Sequence, residues 1–220
     1  NNVAVGRWSL YFNTTGSTNV ALGRMANYKN TTGSGNVGVG LQTLYNNETG
    51  SDNIAIGVNA NHYGLGSTNI SIGTYAMNGD QIGGTSTGTE NVGIGYRSLF
   101  TYTTGSKNTA LGHETLYNTT TESELTAVGY KAGRFNTTGS KLTAIGSYAA
   151  YSNYIGDNNT AIGYKALYNS GNGSNDNVAI GHQALSANAG DDNVAIGKDA
   201  LLVNVKNQNI AIGSHALDAD

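Results

Sequence analysis

Carboxylates are the first residues in this sequence that could do chemistry. A glycosidase needs two of them about 5 to 10 Å apart beside a cleft. The candidates are Glu122 and Glu124, the pair Asp191 and Asp192, and Asp176. All of them fall in polar connectors, where solvated acids are common. We therefore expect no catalytic residue and predict that the chain is not an enzyme.

Histidines could bind a metal. His62, His113, His182 and His215 occupy different places in the sequence pattern, and no helical i, i+4 spacing gathers them. A tetrahedral zinc site therefore has the wrong geometry within one chain, although a threefold axis could collect three copies of one histidine. We expect exposed side chains and no metal.

A glycine-rich stretch could cradle a phosphate. Residues 33–38, Gly-Ser-Gly-Asn-Val-Gly, match the G-x-G-x-x-G pattern of dinucleotide-binding loops. That mechanism needs a strand before the loop and a helix N-terminus after it. Here the last glycine lies inside a repeated strand phrase, so we interpret the match as chance and predict no cofactor.

The composition excludes several classes of protein. The 220 residues include 32 Gly, no Pro and no Cys, and 11% are charged with a net charge of −3. Disulfides and thiolate zinc sites are thereby excluded, and no basic stripe is available to meet nucleic acid. No apolar run reaches the roughly 18 residues of a membrane helix, so we predict no membrane insertion by this segment. Because the chain opens inside a repeated phrase, we interpret it as a fragment of a longer fibrous protein.

One phrase, Asn-(Val/Ile/Thr)-small-(Val/Ile/Leu)-Gly, dominates the sequence. Its period is 16 to 18 residues, except for a stretch of 22 between Gly73 and Gly95. Such self-similarity indicates a repeat architecture. The thirteen copies end at Gly6, Gly23, Gly40, Gly57, Gly73, Gly95, Gly112, Gly129, Gly146, Gly163, Gly181, Gly197 and Gly213.

Each copy predicts one coil of a parallel β-solenoid. β-Branched residues on both sides of a small residue indicate a short strand, as in Val3 and Val5. A second small residue three positions after each glycine, usually followed by an apolar one, predicts a second short strand. Connectors such as residues 13–18, NTTGST, have the chemistry of tight turns. We predict an all-β fold: a single domain over residues 1–220 with about thirteen coils.

Stacked coils place equivalent residues in columns. The glycine column predicts a corner with positive φ or close backbone approach. The asparagine column, broken only by Leu125 and Leu142, predicts a side-chain amide ladder. One strand face must fill the coil, and the other is uncharged and suited to lie against a second surface. We predict a rotationally symmetric homotrimer and leave open which face meets its axis.

Two features are candidates for surface binding. A tyrosine column could stack on sugar rings, form a protein interface or simply cap the coil edge. The long connector over residues 77–91 is either a binding loop or a solvated insertion, and its candidates are Asn78, Asp80 and Gln81. The tyrosines, with Phe100 in register, are Tyr11, Tyr28, Tyr45, Tyr117, Tyr151 and Tyr168.

The phrase NVAIG, with AL four residues on, resembles the head-domain repeat of trimeric autotransporter adhesins. The longer phrase NTTGSTNVALG over residues 13–23 is similar to the repeats of phage tail-fibre-type proteins and related bacterial surface fibres. This resemblance implies a left-handed β-roll, self-association into a homotrimer, and an extracellular place on a bacterial surface or phage tail fibre. It also implies a host cell-surface glycan or matrix protein as partner. The adhesin repeat is shorter, near 14 residues.

Three functions follow as hypotheses. The leading one is a non-enzymatic spacer and adhesive segment of a fibre. The alternatives are a polysaccharide-degrading enzyme of the tailspike type and an ice-binding β-solenoid. The ice-binding alternative depends on the column Thr109, Thr126, Thr143 and Thr160, which occupies a Val/Ile position and is expected to face a buried interior or an interface.

Overall fold

The computed structural model describes residues 1–79, 86–170, 173–187, 190–203 and 206–218. Over these residues the chain is an all-β parallel solenoid of about 12 turns, without helices. Each repeated phrase forms one three-residue strand. The strands are β1 (Val3–Val5), β2 (Val20–Leu22), β3 (Val37–Val39), β4 (Ile54–Ile56), β5 (Ile70–Ile72), β6 (Val92–Ile94), β7 (Thr109–Leu111), β8 (Thr126–Val128), β9 (Thr143–Ile145), β10 (Thr160–Ile162), β11 (Val178–Ile180), β12 (Val194–Ile196) and β13 (Ile210–Ile212).

The chain divides into two compact units, Asn1–Asn108 with β1 to β6 and Thr109–Asp220 with β7 to β13. Within each unit, successive strands pair in parallel with equivalent residues directly opposite. In the first unit, Val3 lies opposite Val20. The second unit pairs Thr126 with Thr143. The predicted columns are therefore confirmed, whereas a single domain over the whole chain stays a prediction, as does the handedness.

The glycine that ends each strand forms a corner. All thirteen corner glycines have φ between 121° and 142°, a region that only glycine adopts readily. A Cβ atom on Gly40 would lie 2.8 Å from the carbonyl oxygen of Gly57 in the next coil. The predicted corner is confirmed on both counts, since it needs positive φ and close backbone approach.

The predicted second strand is wrong. The residues two and four places after every corner glycine have left-handed backbones, as in Trp8 (φ 63°) and Leu10 (φ 48°). We call the six residues after each corner glycine the turn wall, and the three-residue strand the sheet wall. Alternating left-handed residues turn two consecutive side chains inward, for example Thr43 and Leu44, both 0% exposed. A β-strand would send one of them outward.

Hydrogen bonds between coils support the turn wall. The Met25 N–H donates to the carbonyl oxygen of Arg7 at 3.0 Å, and the Leu10 N–H donates to that of Ala26 at 3.0 Å. Each non-glycine left-handed residue costs about 1–2 kcal/mol. These inter-coil bonds and the two buried side chains offset that cost. The wall therefore resembles a strand in its inter-coil pairing but not in its dihedral angles.

The coil interior is thin and filled by small residues from both walls. Ala21 from the sheet wall and Ala26 from the turn wall are both 0% exposed. The Ser71 hydroxyl of one wall donates to the carbonyl oxygen of Ala76 in the other at 2.8 Å. The small residue of each strand thus faces inward, and its Val/Ile neighbours face outward.

The asparagine column forms the predicted ladder, but most of its bonds run to backbone atoms. The Asn36 N–H donates to Oδ1 of Asn19 at 2.9 Å, and Nδ2 of Asn36 donates to the carbonyl oxygen of Gly50 at 2.8 Å. The side chain of Asn36 therefore ties its own coil to the following one, where it also accepts from the Asn53 N–H at 3.0 Å, and its backbone N–H ties the coil to the preceding one. At the two breaks in the column, Leu125 and Leu142 are buried.

Candidate functional site

The outward side of the sheet wall is one of two candidate surfaces. We call it the sheet face, and it consists of the first and third residues of every strand. In the first unit all of these residues are Val, Ile or Leu, and Leu22 and Ile56 are 37% and 39% exposed. Contiguous apolar surface of this kind marks an interaction site in most soluble proteins.

In the second unit the sheet face carries the threonine column. Thr109, Thr143 and Thr160 are half-buried and Thr126 is exposed. Their partners on the same strands, such as Ile145 at 39% exposure, are aliphatic. An interior position for the threonines, one of the two expected, is therefore wrong, because they point away from the coil.

The second surface, the turn face, consists of the side chains two and five places after each corner glycine. In the first unit its tyrosines stack on one another. Ring centroids lie 5.7 Å apart for Tyr11 and Tyr28 and 5.0 Å for Tyr28 and Tyr45, with interplanar angles of 18° and 16°. His62 continues the column at 4.9 Å from Tyr45. Because the rings cover one another's faces, they present mainly their edges.

The same column recurs in the second unit. Tyr151 and Tyr168 stack at 5.1 Å with an interplanar angle of 3°. Tyr117 instead lies against the Arg134 guanidinium, 4.9 Å from the ring centroid. The sequence-predicted tyrosines are thus brought onto one face within each unit.

The long connector over residues 77–91 is described only at residues 77–79 and 86–91, so its interpretation as a binding loop or a solvated insertion stays a prediction. Asn78 is only 2% exposed, so its side chain does not form a free surface. At the far end of the connector, Ser86 is also buried and donates from Oγ to the Tyr102 carbonyl oxygen at 2.7 Å. Asp80 and Gln81, the other two candidates, lie outside the described residues.

The remaining sequence candidates do not form a site. Gly38 is the buried middle residue of β3, and no helix follows it among the described residues. Within the described ranges, no group of three or more metal-ligating side chains could hold a metal ion. Three of the candidate acids, Glu122, Asp176 and Asp191, accept inter-coil hydrogen bonds; Oδ1 of Asp191, for example, accepts from the Asn175 N–H at 2.8 Å. No helix in the described part of the chain is long and apolar enough to cross a membrane.

Beside Asn78 the turn face opens into a cleft of about 460 Å³, a volume in the range of small-molecule sites. Its walls come from turn-wall residues of four coils in the first unit, which sequence reasoning did not bring together. The main lining residues are Gln42, Asn59, His62, Tyr75, Arg97 and Phe100.

The positive charge in the cleft comes from Arg97 and not from His62. Burial lowers the pKa of His62, helped by the charge of Lys29 and opposed by a hydrogen bond to the Gln42 carbonyl. The imidazole is therefore neutral at pH 7. The Arg97 guanidinium lies 5.3 Å from the Phe100 ring centroid and 5.8 Å from that of Tyr75. The cleft thus combines one positive charge with aromatic rings and amide side chains.

Comparisons of the chain with protein-family models, with curated proteins and with solved structures found no match. The class of protein is therefore defined by its geometry alone: a parallel β-solenoid with one apolar sheet face and one aromatic, polar turn face.

Proposed function

We propose that this chain is a non-enzymatic segment of a trimeric extracellular or virion fibre, which acts as a stiff spacer and as an adhesive surface. The observation that supports it most is the sheet face. It presents aliphatic side chains in regular columns, for example Val37, Ile54 and Ile70 in the first unit. Water contact with such columns is unfavourable, at about 25 cal/mol per Å².

In this proposal, three copies of the chain pack their sheet faces against one another. The outward residues of the sheet wall are uncharged, so an identical face from another copy complements them within each unit. A thin interior built largely of alanine also gains stability from additional burial. The fibre resemblance, with its bacterial-surface or phage tail-fibre setting, is consistent with this arrangement.

The turn face is the adhesive surface in this proposal. Sheet wall and turn wall meet across the coil interior, so their outer faces point away from each other. Packing the sheet faces together therefore leaves the turn faces in solvent. Three copies would repeat each weak contact with a host glycan or matrix protein, and repetition raises the overall affinity.

Sedimentation of two matched variants tests the assembly. Ile56→Lys combined with Ile145→Lys places one charge on the sheet face of each unit. We expect the wild-type chain to sediment as a trimer at micromolar concentration and this variant as a folded monomer. Its dissociation constant should rise by at least about a hundredfold, because buried unpaired charges are costly.

The control variant is Val58→Lys combined with Ser147→Lys. Val58 is 38% exposed, almost the same as Ile56 at 39%, but it lies just past the corner glycine on the turn wall. This variant should remain trimeric. A wild-type chain that is a folded monomer at micromolar concentration contradicts the proposal.

Ice binding is a second candidate, because the structure turns the threonine column outward. Thr109, Thr126, Thr143 and Thr160 lie in register on the sheet face of the second unit. Ice binding requires that face to be free, whereas the trimer covers it. A monomer that shows thermal hysteresis supports this candidate against the fibre, and a trimer without hysteresis rejects it.

A further inference from the structure

Arg97 differs from most charged residues of the turn face, although Lys165 in the second unit also has no carboxylate within ion-pair distance among the described residues. Glu114 pairs with Arg134 at 2.9 Å, and Asp199 lies 3.5 Å from the Lys198 amine. Among the described residues, no carboxylate lies within ion-pair distance of Arg97, although its side chain is half-buried. A partly desolvated guanidinium without an anion is an unfavourable arrangement unless a ligand completes it.

Hydrogen-bonding atoms around Arg97 are also unsatisfied. Its Nε is buried without a partner, and so is Oδ1 of Asn59, which lines the same cleft. Buried polar atoms are almost always hydrogen-bonded in folded proteins, so two exceptions in one cleft need an explanation. Both atoms belong to side chains that line the cleft.

The rings restrict the shape of the ligand. The guanidinium lies 5.1 Å from the Tyr96 ring centroid, and Tyr75 and Phe100 flank it at the distances given above. Aromatic faces and edges pack against flat apolar patches, such as the C–H face of a pyranose ring. The amides of Gln42 and Asn59 supply both donors and acceptors for hydroxyl groups.

We propose that this cleft binds a sugar that carries a carboxylate, such as a uronic acid or a sialic acid. A planar guanidinium donates a pair of N–H hydrogen bonds to the two oxygens of a carboxylate. A free carboxylate or phosphate would satisfy the charge but would leave most of the 460 Å³ and its amides unfilled. The inference rests on the proposed function in one respect, that the turn face stays accessible in the assembly.

Calorimetric titration of the full chain tests the proposal, with D-glucuronic acid, D-galacturonic acid and N-acetylneuraminic acid as probes. Glucose and galactose are the neutral counterparts, and acetate and sulfate report a general anion site. We expect saturable binding of at least one acidic sugar. Acetate, sulfate and the neutral sugars should bind at least about tenfold more weakly.

Two charge-removing variants complete the experiment. Arg97→Gln should weaken the acidic sugar at least about tenfold, since it removes a charged hydrogen-bond donor. Lys165→Gln removes a charge at the same repeat position in the second unit, outside the cleft, and should leave binding unchanged.

Several outcomes overturn the proposal. They are no binding of any acidic sugar, equal binding of neutral sugars, equal binding of acetate or sulfate, and equal losses in both variants. Sedimentation of the same samples reports assembly independently. A negative result for sugar binding in the cleft is thus distinguishable from a negative result for the trimeric fibre.

Discussion

The two walls of each coil reach the same inter-coil hydrogen bonding by opposite backbone conformations. The sheet wall is extended and pairs in regular parallel register, as between Val20 and Val37. The turn wall alternates left-handed residues, for example Met25 and Asn27, and still bonds to the coils before and after it. Stacking of identical coils therefore does not require β-strands on every side, because the hydrogen-bond period comes from the coil spacing.

This difference explains why the two outer faces have different chemistry. The sheet face admits little besides Val, Ile, Leu and Thr in all thirteen strands. On the turn face, by contrast, the position two places after the corner glycine varies widely and includes Trp8, Arg97 and Glu114. The turn wall uses two consecutive inward side chains for packing, so its outward positions are free to vary. Binding chemistry is therefore expected there.

The largest expected effect concerns the corner that joins the two walls. Gly163→Ala should lower the free energy of unfolding by about 3 kcal/mol, because φ is 133° and a Cβ would lie 2.7 Å from the carbonyl carbon of Gly181. Gly133→Ala, inside the turn wall at φ 58°, should cost less, about 1–2 kcal/mol, since Ala150 occupies the equivalent place in the next coil and the Cβ would meet a terminal methyl group of Leu116, at 2.8 Å, rather than backbone. Chemical denaturation measures both. Equal costs would show that the corner is not special.

The interior of the coil, just past the turn wall, offers an alkaline test. Tyr102 is 0% exposed, its hydroxyl donates to Oδ1 of Asn61 at 2.8 Å, and burial raises its pKa above the ordinary 10.0. The unfolded chain therefore ionises this phenol near pH 10 while the folded chain does not. Stability from this group is present below pH 10 and falls by up to about 1.4 kcal/mol per pH unit above it.

Tyr102→Phe separates this effect from that of the other tyrosines. At pH 7 the variant should lose about 1 kcal/mol, because Asn61 loses its hydrogen-bond donor. Between pH 10 and 11 the difference from wild type should shrink or reverse, since Phe cannot ionise. Denaturation midpoints at the three pH values measure this, and parallel curves for the two proteins would contradict the assignment.

The smallest expected effect has opposite signs on the two walls. On the turn wall, Gln183 has φ 52°, so Gln183→Gly should be more stable than Gln183→Ala by about 1 kcal/mol. On the sheet wall, Thr143 lies in β9, and Thr143→Gly should be less stable than Thr143→Ala by about 0.5–1 kcal/mol. Thermal or chemical denaturation of the four variants decides the matter. The same sign on both walls would remove the distinction between them.

One signal in the sequence could have revealed the turn wall. The small residue and the apolar residue after it, such as Ala166 and Leu167, are adjacent and both 0% exposed. Two adjacent core residues in most copies conflict with the period of two that a half-buried strand requires. The cleft gave no comparable signal, because its residues come from four coils and share no local motif.

The sequence alone determined the coil. Thirteen copies of one phrase specify the strand, the corner glycine and the asparagine ladder. In a stack of coils, residues one period apart in the sequence are neighbours in space, so the repeat itself predicts these contacts. Only the tertiary structure decided which strand face is inside, how the turn wall is built, and that Arg97 shares a cleft with Asn59 and Phe100. Those features depend on backbone dihedral angles and on contacts between non-equivalent positions of different coils. The repeat period of the sequence predicts neither of them.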